Sequence, residues 1–447
     1  MKKIDEYLVD IKKGNESQSE FLQAVEEVIH SVEGILEREP KYEKASIIER
    51  ITEPERQIIF KVSWVDDSGK IRVNTGYNVQ FNGVLGPFKG GIRFHPSVNL
   101  SIIKFLSFEQ TFKNALTGIN MGGAKAGSDF DPRGKSDGEI KRFCEGFMFE
   151  MFRHIGSDID VPAGDIGVGG REIGYLFGTF RRLTGEFDNG AITGKSVEYG
   201  GSSFRPEATG YGIAYFADSI LKHFDDSFKG KTIAVSGYGQ VAAGVIKKVS
   251  DLGGKVLTIS GSDGYVLDKA GIKGEEKLSF LNKMKDNKSI RLKDYAETFG
   301  AEFHEKKKPW EVRADIVIPA ATQNEIGLAE AELIISNGTK YVIEGANMPC
   351  TNEAVNLFVK SGLIVAPAKA ANAGGVAISG MEMAQNSRRL SFTDEEMEDM
   401  LKDIMSDIHS GIVKTCEEND MGYDLVNGAN ILGFQRVADA MISQGVY

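Results

Sequence analysis

Three lysines stand in unusual company. Lys125 lies in Gly122-Gly123-Ala124-Lys125-Ala126-Gly127, Lys89 in Gly86-Pro87-Phe88-Lys89-Gly90-Gly91-Ile92-Arg93, and Lys113 in Glu109-Gln110-Thr111-Phe112-Lys113-Asn114. Small residues beside Lys125 leave room at its amine and let backbone come close. An amine buried there near other cations loses proton affinity, and a neutral lysine can act as a base. Lys89 and Lys113 would then offer fixed positive charge to carboxylates of a substrate. A solvated surface charge is the competing account of each lysine, strongest for Lys113 and evenly matched for Lys89 and Lys125 in their glycine loops. Asp165 sits in another segment of little bulk, Pro162-Ala163-Gly164-Asp165-Ile166-Gly167-Val168-Gly169-Gly170. A carboxylate there could exchange protons with a substrate nitrogen. A turn aspartate bonded to its own backbone is the alternative.

A second constellation points to a nucleotide. Gly237-Tyr238-Gly239-Gln240-Val241-Ala242 has the G-x-G-x-x-G/A form and joins an apolar strand, residues 231–236, to a helical pattern. In that context Gly237 permits the tight turn and Gly239 lets backbone approach a pyrophosphate. Small Ala242 lets helix pack on sheet, and the free amides of the helix start face the anion. Asp263 follows Gly239 by 24 residues, near the end of the next strand, where an acid binds ribose hydroxyls and repels a 2′-phosphate. That charge favours NAD, whereas Ser262 could donate to the phosphate of NADP.

These groups need a scaffold of two domains, which 447 residues can supply. Phe21, Val25, Val28, Ile29, Val32 and Ile35 form one helical stripe in a polar stretch, residues 1–50. Residues 57–64 and 71–81 are strand-like around the turn cluster Asp66-Asp67-Ser68-Gly69, a hairpin. Residues 136–186 read as largely helical around a glycine-rich interruption at 164–170. Gly200-Gly201-Ser202-Ser203 is a loop, and a helical pattern covers 207–223. Strands at 231–236 and 255–260, and short apolar runs at 316–319, 341–344 and 364–367, alternate with helical segments, which predicts a parallel sheet covered by helices. The fold expected is therefore α/β. An N-terminal substrate and oligomerisation domain spans 1–199, a Rossmann-like dinucleotide-binding domain spans 200–375, and C-terminal helices, 376–447, return toward the first domain.

The net charge of −11 argues against a general binder of nucleic acid or membrane surface. Cys144, Cys350 and Cys416 fit neither a metal motif nor a closed disulfide framework, which suits reduced thiols in the cytoplasm. The first residues lack the apolar core of a secretory signal, and no apolar run is long enough for a membrane span.

GGAK at 122–125, PFKGG at 87–91, PAGD at 162–165, RPEATGYG at 205–212 and NAGGVAISG at 372–380 stand in order along the chain. From about residue 20 onward the chain resembles the hexameric glutamate dehydrogenases of the Glu/Leu/Phe/Val dehydrogenase family, in their small bacterial and lower-eukaryotic form. The resemblance implies Lys125 as the catalytic lysine and Asp165 as the group that moves protons to and from the amino nitrogen. It implies that Lys89, Gln110, Lys113 and Gly164 bind one end of the substrate, with Ser379 joining Lys89 at the far carboxylate. Thr209 would contact the nicotinamide side, and Gln240 the diphosphate or ribose. The substrates implied are glutamate, 2-oxoglutarate and ammonia, held in a cleft between the domains of a homohexamer. Gln240 stands where the family usually has Asn. Tyr238 matches the aromatic of NAD-type relatives, and Ser262 matches the NADP type. Rival readings are the same scaffold acting on leucine, phenylalanine or valine, and a non-catalytic nucleotide-binding protein.

Overall fold

The computed structural model describes residues 4–204, 208–287 and 289–446. Arg205-Pro206-Glu207 of the RPEATGYG segment therefore lie outside the described residues. The chain divides into two compact units. Residues 1–203, 377–397 and 430–447 form the first, and residues 204–376 and 398–429 the second. The C-terminal segment differs from expectation, since 398–429 packs with the second unit rather than with the first.

The first unit is built on a five-stranded mixed sheet. Its strands are β1 (Arg56–Val65), β2 (Ile71–Asn82), β3 (Phe88–Phe94), β4 (Gly123–Ser128) and β5 (Asp160–Gly164), in the order β1-β2-β4-β3-β5. β1 and β2 are the predicted hairpin. Asp66 closes its turn by accepting the amide protons of Ser68 and Lys70. β5 lies within a stretch read as largely helical. Five residues, one of them Pro162, are too few to show a period of two, so only its pairing with β3 reveals it. The polar N-terminal stretch holds several helices rather than one. The predicted stripe falls on Ser19–Arg38, with Phe21, Val25, Val28, Ile29, Val32 and Ile35 all buried.

Strand periodicity sorts β3. Ile92 and Phe94 point into a core with Trp64, Phe130, Phe143 and Phe147. Lys89, Gly91 and Arg93 alternate with them and so share the other face. The pairing Ile92↔Ala126 sets Lys125 of β4 beside Gly91 on that same face.

The second unit holds a parallel sheet of β6 (Thr232–Val235), β7 (Lys255–Val256), β11 (Ile316–Ile318), β12 (Tyr341–Ile343) and β13 (Ile364–Ala366), in the order β13-β12-β11-β6-β7. An antiparallel sheet joins β8 (Thr258–Gly261), β9 (Gly264–Leu267) and β10 (Glu302–Glu305). The strand expected over 255–260 is thus two strands. After Val256 the chain leaves the ladder, because the Thr258 hydroxyl bonds both the N–H and the carbonyl of Val235. β7 and β11 flank β6 on opposite sides, so the strand order reverses at β6. Ligands of open α/β sheets bind outside the carboxyl ends of strands at such a reversal.

Candidate active site

On the charged face of the first unit, Lys125, Arg93 and Asp165 converge. Asp165 follows β5 directly, and its Oδ2 lies 2.7 Å from Arg93 Nε and 3.1 Å from Lys125 Nζ. Gly91 makes the contact possible. A Cβ there would stand 2.9 Å from Asp165 Cβ and 3.0 Å from Lys125 Nζ, so any side chain would part the pair. Burial lowers the proton affinity of the Lys125 amine; Asp165 opposes that shift and Arg93 adds to it. Burial acts on Asp165 in the other direction, but Lys125 and Arg93 outweigh it and bring its pKa down to about 2. The site therefore pairs an ionised carboxylate with a lysine that gives up its proton more readily than usual.

The other predicted substrate residues gather round this pair. Gln110, Lys113 and Asn114 lie on the helix Leu100–Leu116, three and four residues apart and so on one face. Burial and the charge of Lys125 bring Lys113 down to about 8. Gln110 donates to Asn114 Oδ1 at 2.6 Å, and Asn114 donates to the carbonyls of Lys89 and Gly122 at 3.0 and 2.6 Å. The Gly164 carbonyl borders the same space as Gly91. Lys89 is 1% exposed, and its Nζ donates to Thr193 Oγ1 at 2.8 Å. Thr193 donates in turn to Ser379 Oγ at 3.3 Å. One ammonium and two hydroxyls thus form a buried cluster suited to a carboxylate.

Sequence reasoning assigned no role to Arg93, Thr193 or Asn114. Arg93 carried a usable signal, since a strand places it on the same face as Lys89. Thr193 carried none, being 104 residues from Lys89 along the chain.

The predicted cofactor residues lie in the second unit. Gly237 has φ +82°, and a Cβ on it would approach the Ala320 carbonyl at 3.1 Å, just past β11. Gly239 is the N-cap of the helix Gln240–Asp251, and among the described residues nothing beyond its chain neighbours lies within 4 Å of the Cβ position there. The amides of Gln240 and Val241 begin that helix, with Val241 half-buried and Ala242 fully buried against the sheet. Gln240 is exposed and accepts a hydrogen bond from Lys285 Nζ at 3.2 Å. Ser262 and Asp263 form the two-residue turn between β8 and β9. The Asp263 carboxylate and the Tyr238 ring both flank Gly261, at 3.0 and 3.1 Å from its Cβ position. Thr209 opens the helix Ala208–His223, with its hydroxyl against Gly375. An open glycine cradle, a helix start and an acid one strand away fit a dinucleotide. Among the described residues no group of three or more His, Cys, Asp or Glu is placed to hold a metal ion.

Comparison with known proteins agrees with both halves. The profile described as "Glutamate/Leucine/Phenylalanine/Valine dehydrogenase" matches residues 200–445, and "Glu/Leu/Phe/Val dehydrogenase, dimerisation domain" matches residues 54–182. The chain belongs to this family. It is 52% identical to a NAD-specific glutamate dehydrogenase of Clostridium symbiosum, over 100% of this chain and 99% of that one. It is 53% identical to a NADP-specific glutamate dehydrogenase of Haemophilus influenzae, over 99% of each. The crystal structure of Plasmodium falciparum glutamate dehydrogenase superposes with a TM-score of 0.97 at 49% identity, covering 99% of this chain and 95% of that one. The two-domain α/β fold and the Rossmann-like unit are those of the family.

Proposed function

We propose that the chain catalyses the reversible oxidative deamination of L-glutamate to 2-oxoglutarate and ammonia with NAD or NADP. The observation that carries this is the buried cluster of Lys89, Thr193 and Ser379 in the same unit as the Lys125–Asp165 pair. Lys89 and Ser379 receive the side-chain carboxylate, and Lys113 with Gln110 and the Gly164 carbonyl hold the α-amino acid end. An apolar side chain would gain nothing from an ammonium flanked by two hydroxyls and would cost its further desolvation. That weighs against leucine, phenylalanine or valine as substrate.

Holding both carboxylates fixes the Cα–H of glutamate, so positioning supplies much of the rate. The nicotinamide ring, when bound, accepts the hydride. Neutral Lys125 then takes a proton from the water that attacks the imine carbon. The proton passes to Asp165 across their 3.1 Å contact and on to the departing ammonia, while Lys125 takes the remaining hydroxyl proton of the water adduct as the C–N bond breaks and the C=O bond forms. Arg93 keeps Asp165 ionised until that transfer.

In the second unit Gly237, Gly239 and the amides of Gln240 and Val241 bind the diphosphate, with Ala242 packing the helix close. Thr209 contacts the nicotinamide side. The acid at Asp263 beside Tyr238 favours NAD, and Ser262 in the same turn is the group that would receive the 2′-phosphate of NADP. Relatives of both specificities, at 52% and 53% identity, keep both cofactors in play. On the hairpin, Ile59, Val65, Ile71 and Val73 are 41–70% exposed, and the pairing of β1 with β2 puts them on one face. An apolar face of that kind supports self-association, and we assign the chain a homohexamer in the cytoplasm. No described helix is long and apolar enough to cross a membrane.

Initial rates with glutamate and leucine, each with NAD and NADP, test the reading. A kcat/KM for glutamate at least about 100-fold above that for leucine is expected. Equal values, or no glutamate-dependent reduction of either cofactor, would remove it.

A further inference from the structure

The hydroxyls around Lys89 are themselves held by side chains that stand behind them. Ser379, Glu382 and Asn386 follow at spacings of three and four residues, so they share one face of the helix Gly374–Arg388. Facing them is the segment 192–201. Its Thr193 amide donates to the Pro162 carbonyl at 3.0 Å, tying it to β5. Gly194, at φ +84°, donates its amide to Glu382 Oε2 at 2.9 Å. Lys195 donates to Glu382 Oε1 and to Asn386 Oδ1, both at 2.8 Å, and to the Ile192 carbonyl. Asn386 donates to the Gly200 carbonyl at 2.6 Å. The side chains of Lys195 and Glu382 have no solvent exposure at all.

A fully buried ion pair is a costly way to hold two segments together, because apolar residues of equal volume pack at least as stably. What charge adds is direction. Both Glu382 oxygens are committed to the 194–195 backbone and side chain, which fixes the rotation of the helix one turn beyond Ser379. The geometry points to Lys195 and Glu382 as positioning residues for substrate choice. They lock the 192–195 segment against the helix so that Thr193 Oγ1 and Ser379 Oγ meet beside the Lys89 amine, ready for a side-chain carboxylate. This rests on the reading that Lys89, Thr193 and Ser379 receive that carboxylate. Glu382 hydrogen-bonds to Gly194 and Lys195, on the Thr193 side of the site, and not to Lys125 or Asp165. Loosening the lock should therefore harm substrates that carry the carboxylate and spare those that lack it.

The test is Glu382→Gln in the full-length protein, with kcat/KM measured for glutamate and for norvaline, which carries a methyl group where glutamate has its side-chain carboxylate. Losing well-aimed hydrogen bonds to a charged group should lower kcat/KM for glutamate about 10- to 100-fold, mainly through KM. Norvaline should change by no more than about threefold, so the preference for glutamate collapses. Equal losses for both substrates, or an unchanged preference, would overturn the inference. Should Glu382→Gln fail to fold, Asn386→Ala removes one acceptor of Lys195 and should shift the preference the same way by a smaller factor. An unchanged preference in folded Asn386→Ala overturns it as well. Lys89→Leu separates the two levels. If that variant keeps the preference, the carboxylate reading fails and the inference with it; if it loses the preference while Glu382→Gln does not, the positioning role alone is wrong.

Discussion

In the first unit the candidate reactive groups are side chains that crowd one another. Lys125 and Arg93 share a single oxygen of Asp165, and Lys89 is sealed beneath Thr193. At residues 237–242 of the second unit the groups on offer are mostly backbone, and the space around Gly239 is open. The contrast follows from the tasks. Moving a proton needs particular acids with shifted affinities, whereas a diphosphate needs only several N–H groups and freedom from Cβ atoms. Changes in the first region should therefore strike turnover, and changes in the second should strike cofactor affinity.

The largest effect expected from breaking the first region, Lys125 aside, comes from Asp165→Asn. It should lower kcat by about 10²- to 10⁴-fold with cofactor affinity kept. An unchanged kcat takes Asp165 out of the proton path. Gly239→Val probes the second region. Among the described residues nothing beyond its chain neighbours lies within 4 Å of the Cβ position, so the variant should fold. The cofactor Kd, read by fluorescence titration, should rise about 10-fold or more while kcat at saturation holds. An unaltered Kd would mean that no ligand approaches that backbone.

Arg93→Met sharpens the electrostatic half of the comparison. Arg93 lowers the proton affinity of both Lys125 and Asp165, so its loss raises both. The acid limb of the kcat/KM profile, where Lys125 must lose its proton, should move to higher pH. A limb that stays in place or moves down denies Arg93 this influence. The smallest effect is on stability. Burial pushes Asp160 up to about 6, against the partial relief of hydrogen bonds from Asn78 and Gln80. The folded state then binds more protons than the unfolded between about pH 4 and 6, and stability falls as pH rises through that window. Asp160→Asn should flatten that slope, a change on the order of 2 kcal/mol in denaturant titrations at the two ends of the window.

Legibility in the sequence divides along the same line. The nucleotide loop is local, with strand, glycines and helix in one run of residues, and the turn acid Asp263 falls where spacing puts it. The lysine loops were visible too, because glycines beside a charge are a local signal. What joins them is not local. Arg93 reaches Asp165 across 72 residues and Lys195 reaches Glu382 across 187, through a strand order that no stretch of sequence announces. β5 was too short to show its period, and the break at Thr258 depends on a side chain replacing a ladder bond. The return of 377–397 and 430–447 to the first unit, with 398–429 left in the second, is likewise set by packing alone.

The claim on which the rest depends is that a buried lysine, whose surroundings lower its proton affinity, does the chemistry. Turnover of Lys125→Ala with glutamate, measured beside its cofactor Kd, tests it most directly. The expected result is a kcat lower by about 10³-fold or more, with the Kd within about twofold of the parent. Near-normal turnover in a folded, cofactor-binding Lys125→Ala protein would contradict the account.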